Sequence, residues 1–284
     1  MDISKEMAVI ISFQPEPEKI IRNVNCIAEQ VGHVILIDNG SDNVELWEGD
    51  LKGLKNLKIV RNIKNIGLPI NYNRAAKYAY KHCYEWLIIF DQDTLIPRDF
   101  RDRLLDYEPE PDVAIVCPLF RDINLYSVSQ FNRIIPKEDF SSIDKCISSG
   151  SINRTSTLIE LGGFDNKLFI DMVDYDYCKR VKLNNYKIIQ DNRIIIDHSI
   201  GNSQWITLFG KRYFIHNHGA FRKYYIIRNN IYYARKYHLS IFNDKIFYRS
   251  LIKKYILVLF ERDNKISKIK AVLKGTLDGL FMKI

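Results

Sequence analysis

Nine residues from Trp86 to Thr94, Trp-Leu-Ile-Ile-Phe-Asp-Gln-Asp-Thr, constrain this chain more than any other stretch. The apolar run Trp86–Phe90 reads as a strand covered on both faces, the kind found in parallel sheets. It ends in two carboxylates one residue apart, Asp91 and Asp93. Hard divalent cations prefer oxygen ligands, and Mg²⁺ usually takes one or two carboxylates plus substrate phosphates. An Asp-x-Asp at a strand end therefore suits a metal-held diphosphate. A merely solvated acidic turn has the same sequence, and the company these residues keep separates the two readings.

Similar runs recur. Met7–Phe13 is one, Val34–Ile37 leads into Asp38-Asn39-Gly40-Ser41, and Leu57–Val60 is shorter. Between them Ile20, Ile21, Val24 and Ile27 carry helical spacing across Glu18 to Gln30, and Pro69 to Tyr84 reads as a second helix. Strands alternating with helices imply an α/β fold with a mostly parallel sheet flanked by helices. Ligands of such sheets gather beyond the carboxyl ends of the strands, where Phe13, Asp38 and Asp91 all fall. A fifth strand is expected at Val113–Cys117, then an irregular excursion from Pro118 to Phe140. A short helix over Ser156–Leu161 is closed by Gly162-Gly163. Residues after Asp171 read as a helix to Leu183, Tyr186–Gln190 and Arg193–Ile196 as a closing hairpin, and the chain beyond Phe221 as predominantly helical.

Three further stretches carry chemistry. In Asn65-Ile66-Gly67-Leu68-Pro69-Ile70-Asn71-Tyr72-Asn73, Gly67 can take backbone angles closed to other residues and Pro69 suits a first helical turn. Asn71 and Asn73 are poor helix starters unless their amides bind something. The stretch reads either as a capped loop or as a pocket wall for a nucleotide-sugar. Asp171, Asp174 and Asp176 crowd one helix start. Helical spacing pairs Asp176 with Arg180 and leaves Asp171 and Asp174 on a shared face toward a cleft, either able to accept an alcohol's proton. His198, next to Asp197 after an apolar strand, is either structural or a further cation ligand.

With 284 residues, 46% of them hydrophobic, the chain can bury a substantial core, as one domain or one domain with an appendage. The start, Met1 to Glu6, is polar and reads as no signal peptide. The apolar run Tyr255–Phe260 is too short to span a bilayer, so a cytoplasmic protein is expected. Five singly scattered cysteines read as small buried hydrophobes in a reducing compartment, not a disulfide framework or zinc site. Charge is uneven: from Lys211 onward there are 17 Lys and Arg against 4 Asp and Glu, a net +13, with 14 Phe and Tyr interleaved. An acidic-to-neutral catalytic domain over 1–215 and a basic helical region over 216–284 are expected, the latter calling for an anionic partner or membrane surface.

Together these residues resemble the family 2 glycosyltransferases of the GT-A fold, inverting enzymes that use nucleotide-sugars. Asp91-Gln92-Asp93-Thr94, Ser149-Gly150 ahead of Gly163-Phe164-Asp165, and Leu168-Phe169-Ile170-Asp171 leading to Val173-Asp174 resemble the rhamnosyltransferase-like branch. So does the later pattern of His218, Arg222, Tyr224, Tyr225, Arg228 and Asn229, and the likeness covers roughly residues 7–235. The resemblance implies Asp38 and Phe13 at the base, with Asn65, Gly67, Asn73 and Arg228 lining the nucleotide-sugar pocket. It also implies Asp91 at the ribose and metal, Asp93 as a ligand of Mg²⁺ or Mn²⁺, and Asp174 as catalytic base. Val173 stands where a Glu is common, and Pro69 and Asn71 where small residues are usual. The implied donor is dTDP-rhamnose or a UDP-sugar, and the implied acceptor a lipid-linked glycan at the inner face of the plasma membrane.

A nucleotidyltransferase would carry a Gly-rich, basic loop after the first strand, where Phe13-Gln14-Pro15-Glu16-Pro17 stands instead. A nucleic-acid-binding module built on the basic tail lacks any supporting motif, and no nucleic-acid partner is expected.

Overall fold

In a computed structural model, the structure describes residues 5–105, 109–198, 203–208 and 210–284. The chain forms two compact units. The first runs up to Lys167 and resumes at Val173 through the last strand of the main sheet; the second takes Leu168–Met172 and the chain beyond that strand. The 215/216 boundary follows composition, whereas these units follow packing.

The first unit opens with β1 (Glu6–Ser12), α1 (Pro17–Ala28), β2 (His33–Asp38), α2 (Glu48–Leu51), β3 (Leu57–Arg61), α3 (Leu68–Lys81) and β4 (Trp86–Asp91). It continues with α4 (Phe100–Leu105), β5 (Val113–Asp122), α5 (Val128–Phe131), β6 (Phe140–Ser142), β7 (Ser151–Arg154), α6 (Thr155–Glu160), α7 (Val173–Leu183) and β8 (Lys187–His198). The eight strands form one sheet in the order β3-β2-β1-β4-β7-β5-β8-β6. Strands β1 to β4 are parallel neighbours, and β5 lies parallel to β8. Ala8 and Ile10, Val34 and Leu36, and Trp86, Ile88 and Phe90 belong to one buried cluster with Ile20, Val24 and Ile27 of α1. The alternate residues Met7, Val9, Ile35, Ile37, Leu87 and Ile89 are equally buried, and α3 packs on β1 and β4 through Ala75, Ala76 and Ala79. Both faces are covered, which is why these strands read as unbroken apolar runs rather than as alternating ones.

Three elements differ from expectation. Strand β7, Ser-Ile-Asn-Arg, inserts antiparallel between β4 and β5; its single apolar residue gives no strand signal, and its place comes from backbone pairing with two neighbours. The expected hairpin over 186–196 is instead the one continuous strand β8. Asp191-Asn192 is no turn there: Asp191 pairs with Pro118 and Ile195 with Leu119, so the intervening residues bulge while the strand runs on. The Asp191 carboxylate stabilises the bulge by accepting from the Arg193 backbone N–H at 2.9 Å and from its guanidinium. Strand β5 runs five residues past Cys117 into the expected excursion, because β8 offers it a partner there.

The second unit holds the hairpin β9 (Gln204–Leu208) and β10 (Lys211–Ile215), then α8 (Ala220–Lys236), α9 (Lys245–Leu257) and α10 (Lys265–Phe281). The hairpin was not apparent in the sequence. Ile227, Ile231, Leu251, Val258 and Val272 form the core of this unit. Gly275 and Gly279 let α10 meet the α8 backbone: a Cβ at either would lie 2.6 or 2.7 Å from the carbonyl oxygen of Tyr224 or Arg228. Among the described residues no helix is long and apolar enough to cross a membrane.

Candidate active site

Register brings the strand ends together. Ser12 lies opposite Asp38 and Ile11 opposite Asp91, so the carboxyl ends of β2, β1 and β4 form one rim with Phe13 just beyond its middle strand. The Phe13 backbone N–H donates to Gln92 Oε1 at 2.6 Å, and its ring is 44% exposed, open to a flat ligand. Asp38 is buried, and its Oδ2 accepts from the backbone N–H groups of Gly40 and Ser41 at 3.1 and 2.9 Å. That carboxylate shapes the 39–41 turn.

The loop entering α3 is knitted by asparagines. Asn39 Oδ1 accepts from Ile66 N–H at 3.0 Å, and Asn39 donates to Asn65 Oδ1 at 2.8 Å, which also accepts from Gly67 N–H at 3.0 Å. Gly67 opens α3 with φ +87°, a conformation that favours glycine. Asn71 donates to the Gly67 carbonyl at 2.9 Å, back-bonding within its own first turn. Asn73 reaches elsewhere: it donates to the Phe164 carbonyl and accepts from the Phe164 N–H, at 2.8 and 2.7 Å. The amides that are awkward in a helix start are thus used within the protein, and Asn73 is placed against the 163–166 turn. Gly163 is required beneath it, since a Cβ there would lie 2.3 Å from Asn73 Oδ1.

Asp91 is the last residue of β4, and Asp93 follows in the turn. The Asp91 N–H donates to Ser149 Oγ at 3.1 Å, and the hydroxyl of fully buried Tyr72 donates to Asp91 Oδ1 at 3.3 Å. Burial first, then the Asp91 charge, pushes the Tyr72 phenol well above its ordinary value, so it stays a donor. The Asp174 charge raises the same phenol further. Tyr72 therefore has the strand-end carboxylate and the α7 carboxylate both within its surroundings.

Asp174 sits in the first turn of α7, in a pocket lined also by Ser148, Asn153, Phe164, Tyr177 and Cys178. Phe164 tilts against Tyr72 and Tyr177, with centroids 5.1 and 5.0 Å away. Burial and then the Asp174 charge push the Tyr175 phenol up to about 12. The Cys146 and Cys178 thiols stand 3.8 Å apart, and all five cysteines are free. Asp176 accepts from Arg180 Nε at 3.1 Å, as the spacing indicated, and Arg180 also donates to the Gly163 carbonyl at 2.5 Å.

Asp171 departs from expectation. It precedes α7 with φ +63°, so it shares no helical face with Asp174, and it belongs to the second unit. Its carboxylate accepts from Arg222 at 3.3 Å. Arg228, in the same unit, donates to the Leu168 carbonyl at 3.1 Å. His198 ends β8, but its side chain lies outside the described residues; neighbouring Asp197 accepts from Arg121 Nε at 2.6 Å. Among the described residues no group of three or more His, Cys, Asp or Glu is placed to hold a metal. Tyr72 is the site residue that sequence reading passed over. Its only signal was a polar-tipped ring on the apolar face of α3, where a buried hydroxyl needs a partner.

A parallel half-sheet with an acidic strand end, extended by a mixed half beside a carboxylate pocket, is a GT-A glycosyltransferase fold, and solved structures share it. GalNAc-T7 with UDP, GalNAc and Mn²⁺ matches with a TM-score of 0.56 at 14% identity, over 72% of this chain and 44% of that one. This chain thus spans less than half of that protein. TarS 1–349 from S. aureus matches with a TM-score of 0.53 at 15% identity, over 98% of this chain and 72% of that one. The chain belongs to glycosyl transferase family 2, whose model matches residues 8–160. It is rhamnosyltransferase-like within that family: the dTDP-rhamnosyl transferase RfbF of Shigella flexneri is 27% identical over 293 residues, 96% of this chain and 94% of that protein.

Proposed function

We propose that this glycosyltransferase moves rhamnose from a dTDP donor to a hydroxyl of a growing, lipid-linked cell-surface polysaccharide, inverting the anomeric carbon. The observation that carries this reading is that Tyr72 donates to Asp91 and packs on Phe164, which lines the pocket that holds Asp174. The named relative supports rhamnose over the UDP-sugar alternative.

In this reading Asp93 and Asp91 hold Mg²⁺ or Mn²⁺. The donor set, two carboxylates at one strand end, fits a cation that takes its remaining ligands from substrate phosphates. When bound, the cation offsets charge on the departing nucleoside diphosphate. Phe13 and Asp38 form the base side of the site and Asn65 and Gly67 its wall, while Asn73 fixes the Phe164 turn. Arg228 belongs to the donor-binding residues by resemblance to the family. Asp174 takes the acceptor hydroxyl's proton as that oxygen bonds to the anomeric carbon from the face opposite the diphosphate. The bond from that carbon to the diphosphate breaks in the same displacement, which inverts the centre.

The 1–215 region is catalytic in this reading, and the basic helical region beyond it rests on the anionic inner face of the plasma membrane. Helix α10 leaves Ile266, Leu273, Leu277 and Phe281 exposed beside Lys270 and Lys274, the make-up of an interfacial helix. Titrating dTDP-rhamnose and UDP-sugars with and without Mg²⁺ or Mn²⁺, followed by NMR of the product linkage, tests the whole. Transfer from dTDP-rhamnose with inversion is expected. A retained configuration, or no preference for a thymidine donor, would overturn it.

A further inference from the structure

Three non-glycine residues with positive φ fall within four positions: Phe169 at +62°, Asp171 at +63° and Met172 at +66°. Strain of this kind persists only where the surroundings over-determine it, and it clusters at functional sites. Here the surroundings are explicit. Asn229, fully buried on α8, places its amide nitrogen 2.7, 2.7 and 2.9 Å from the carbonyl oxygens of Leu168, Ile170 and Asp171. A buried asparagine spent on three consecutive-turn carbonyls holds a loop in a shape it would not take alone.

That shape presents two things. The Phe169 ring stacks on Tyr225 at 4.8 Å and 13°, and meets Phe221 edge-on at 5.8 Å. Phe221 is 61% exposed, so an apolar surface is open on this shelf. Beside it, Asp171 Oδ1 accepts from Arg222, whereas Asp171 Oδ2 is buried with no hydrogen-bond partner. A buried, unanswered carboxylate oxygen is unfavourable unless a ligand supplies the donor. An apolar shelf, a carboxylate short of one donor and a guanidinium together match a sugar ring. A pyranose has an apolar C–H face that packs on aromatic carbon, and edge hydroxyls that donate to a carboxylate and accept from a guanidinium.

We propose that Phe169, Phe221, Asp171 and Arg222 form a carbohydrate subsite for the acceptor glycan, with a pyranose on the aromatic shelf and one of its hydroxyls donating to Asp171 Oδ2. This rests on the glycan-acceptor reading above, and it assigns recognition of the acceptor to residues of the second unit alone.

Saturation-transfer NMR of the full chain with a panel of methyl pyranosides, methyl rhamnoside among them, tests the subsite without any donor. The wild type should saturate the ring protons of at least one glycoside. Phe221→Ala, at an exposed position, and Asp171→Asn, close to isosteric, should each lower affinity for it about ten-fold, the scale of one lost charged hydrogen bond or equivalent contact. Circular dichroism melting checks that both variants fold. In turnover, Phe221→Ala should raise the acceptor KM about ten-fold with little change in kcat. Binding of no glycoside, or equal binding by wild type and Phe221→Ala, would overturn the subsite. Phe221-dependent glycoside binding by a protein that transfers no sugar would leave the subsite standing and overturn the proposed function instead.

Discussion

The hydroxyl of Tyr72 donates to the carboxylate of Asp91 across 3.3 Å from a ring with no solvent exposure. Its ring packs on Phe164, a lining residue of the Asp174 pocket, with centroids 5.1 Å apart. One buried side chain thus supports the strand-end carboxylate with its hydroxyl and a pocket-lining ring with its own. Tyr72→Phe keeps the ring and deletes the donor. It should weaken metal-dependent nucleoside diphosphate binding by about ten-fold, the scale of a hydrogen bond to a charged group, and leave the melting transition nearly unchanged. Calorimetric titration of dTDP with Mg²⁺ reads this directly, and equal affinities would show that Asp91 needs no such support.

Asp93 carries the metal prediction. Asp93→Asn should abolish transfer and remove the metal dependence of nucleoside diphosphate binding, and EDTA should stop the unsubstituted enzyme. Undiminished turnover in Asp93→Asn would exclude the assigned role.

The parallel half of the sheet was legible because β1, β2 and β4 are buried on both faces, and continuous apolar runs say so. Their acidic ends were legible for the same reason: a carboxylate directly after such a run stands out. The mixed half was not. Strand β7 is placed by ladder pairing rather than by its side chains, and the β8 bulge looks like a turn because Asp191-Asn192 has turn composition. Asp176 with Arg180 followed from helical spacing. Asp171 did not, because what sets it is Asn229, 58 residues further along the chain.

His218 gives the second unit a pH dependence. Burial first, then the positive charges of Arg222, Lys223, His216 and Lys268, hold its imidazole down at about 3 against an ordinary 6.5. The folded chain therefore keeps it neutral while the unfolded chain binds a proton. This contribution to stability is fully present above pH 6.5 and is lost as pH falls from there toward about 3. In His218→Gln the melting temperature should fall less steeply between pH 6.5 and about 4 than in the wild type. Parallel curves would place the titration elsewhere.

Helix α10 faces α8 with Gly275 and Gly279 and turns Leu273 and Leu277 outward. Leu273→Glu with Leu277→Glu adds two negative charges and removes two apolar contacts without touching the packed face. Sedimentation with vesicles containing anionic lipid should drop several-fold, while neutral vesicles bind neither form well. If the substituted protein binds anionic vesicles as the wild type does, the exposed face of α10 is not the attachment.

The choice of general base now falls between residues in different settings. Asp174 lies in the first turn of α7, in a pocket bounded by Ser148 and Phe164, within the unit that carries Asp91. Asp171 lies in the strained segment before the helix, and its Oδ1 is engaged by Arg222. Burial raises the Asp171 pKa, with Arg222 opposing, which would make it a better proton acceptor were it placed at the reacting hydroxyl. Basicity alone does not decide; a base must reach the proton it takes. Replacing the base by its amide removes an interaction made in the transition state, so it should lower kcat while sparing donor affinity. Asp174→Asn is expected to bind nucleotide-sugar normally and lose roughly 10²-fold or more in turnover, the usual scale of general-base assistance. Asp171→Asn should instead raise the acceptor KM. Single-turnover kinetics with saturating donor separate the two patterns. If the kcat loss appears in Asp171→Asn, the base moves to that residue; near-normal kcat in both variants would sink the proton-transfer mechanism.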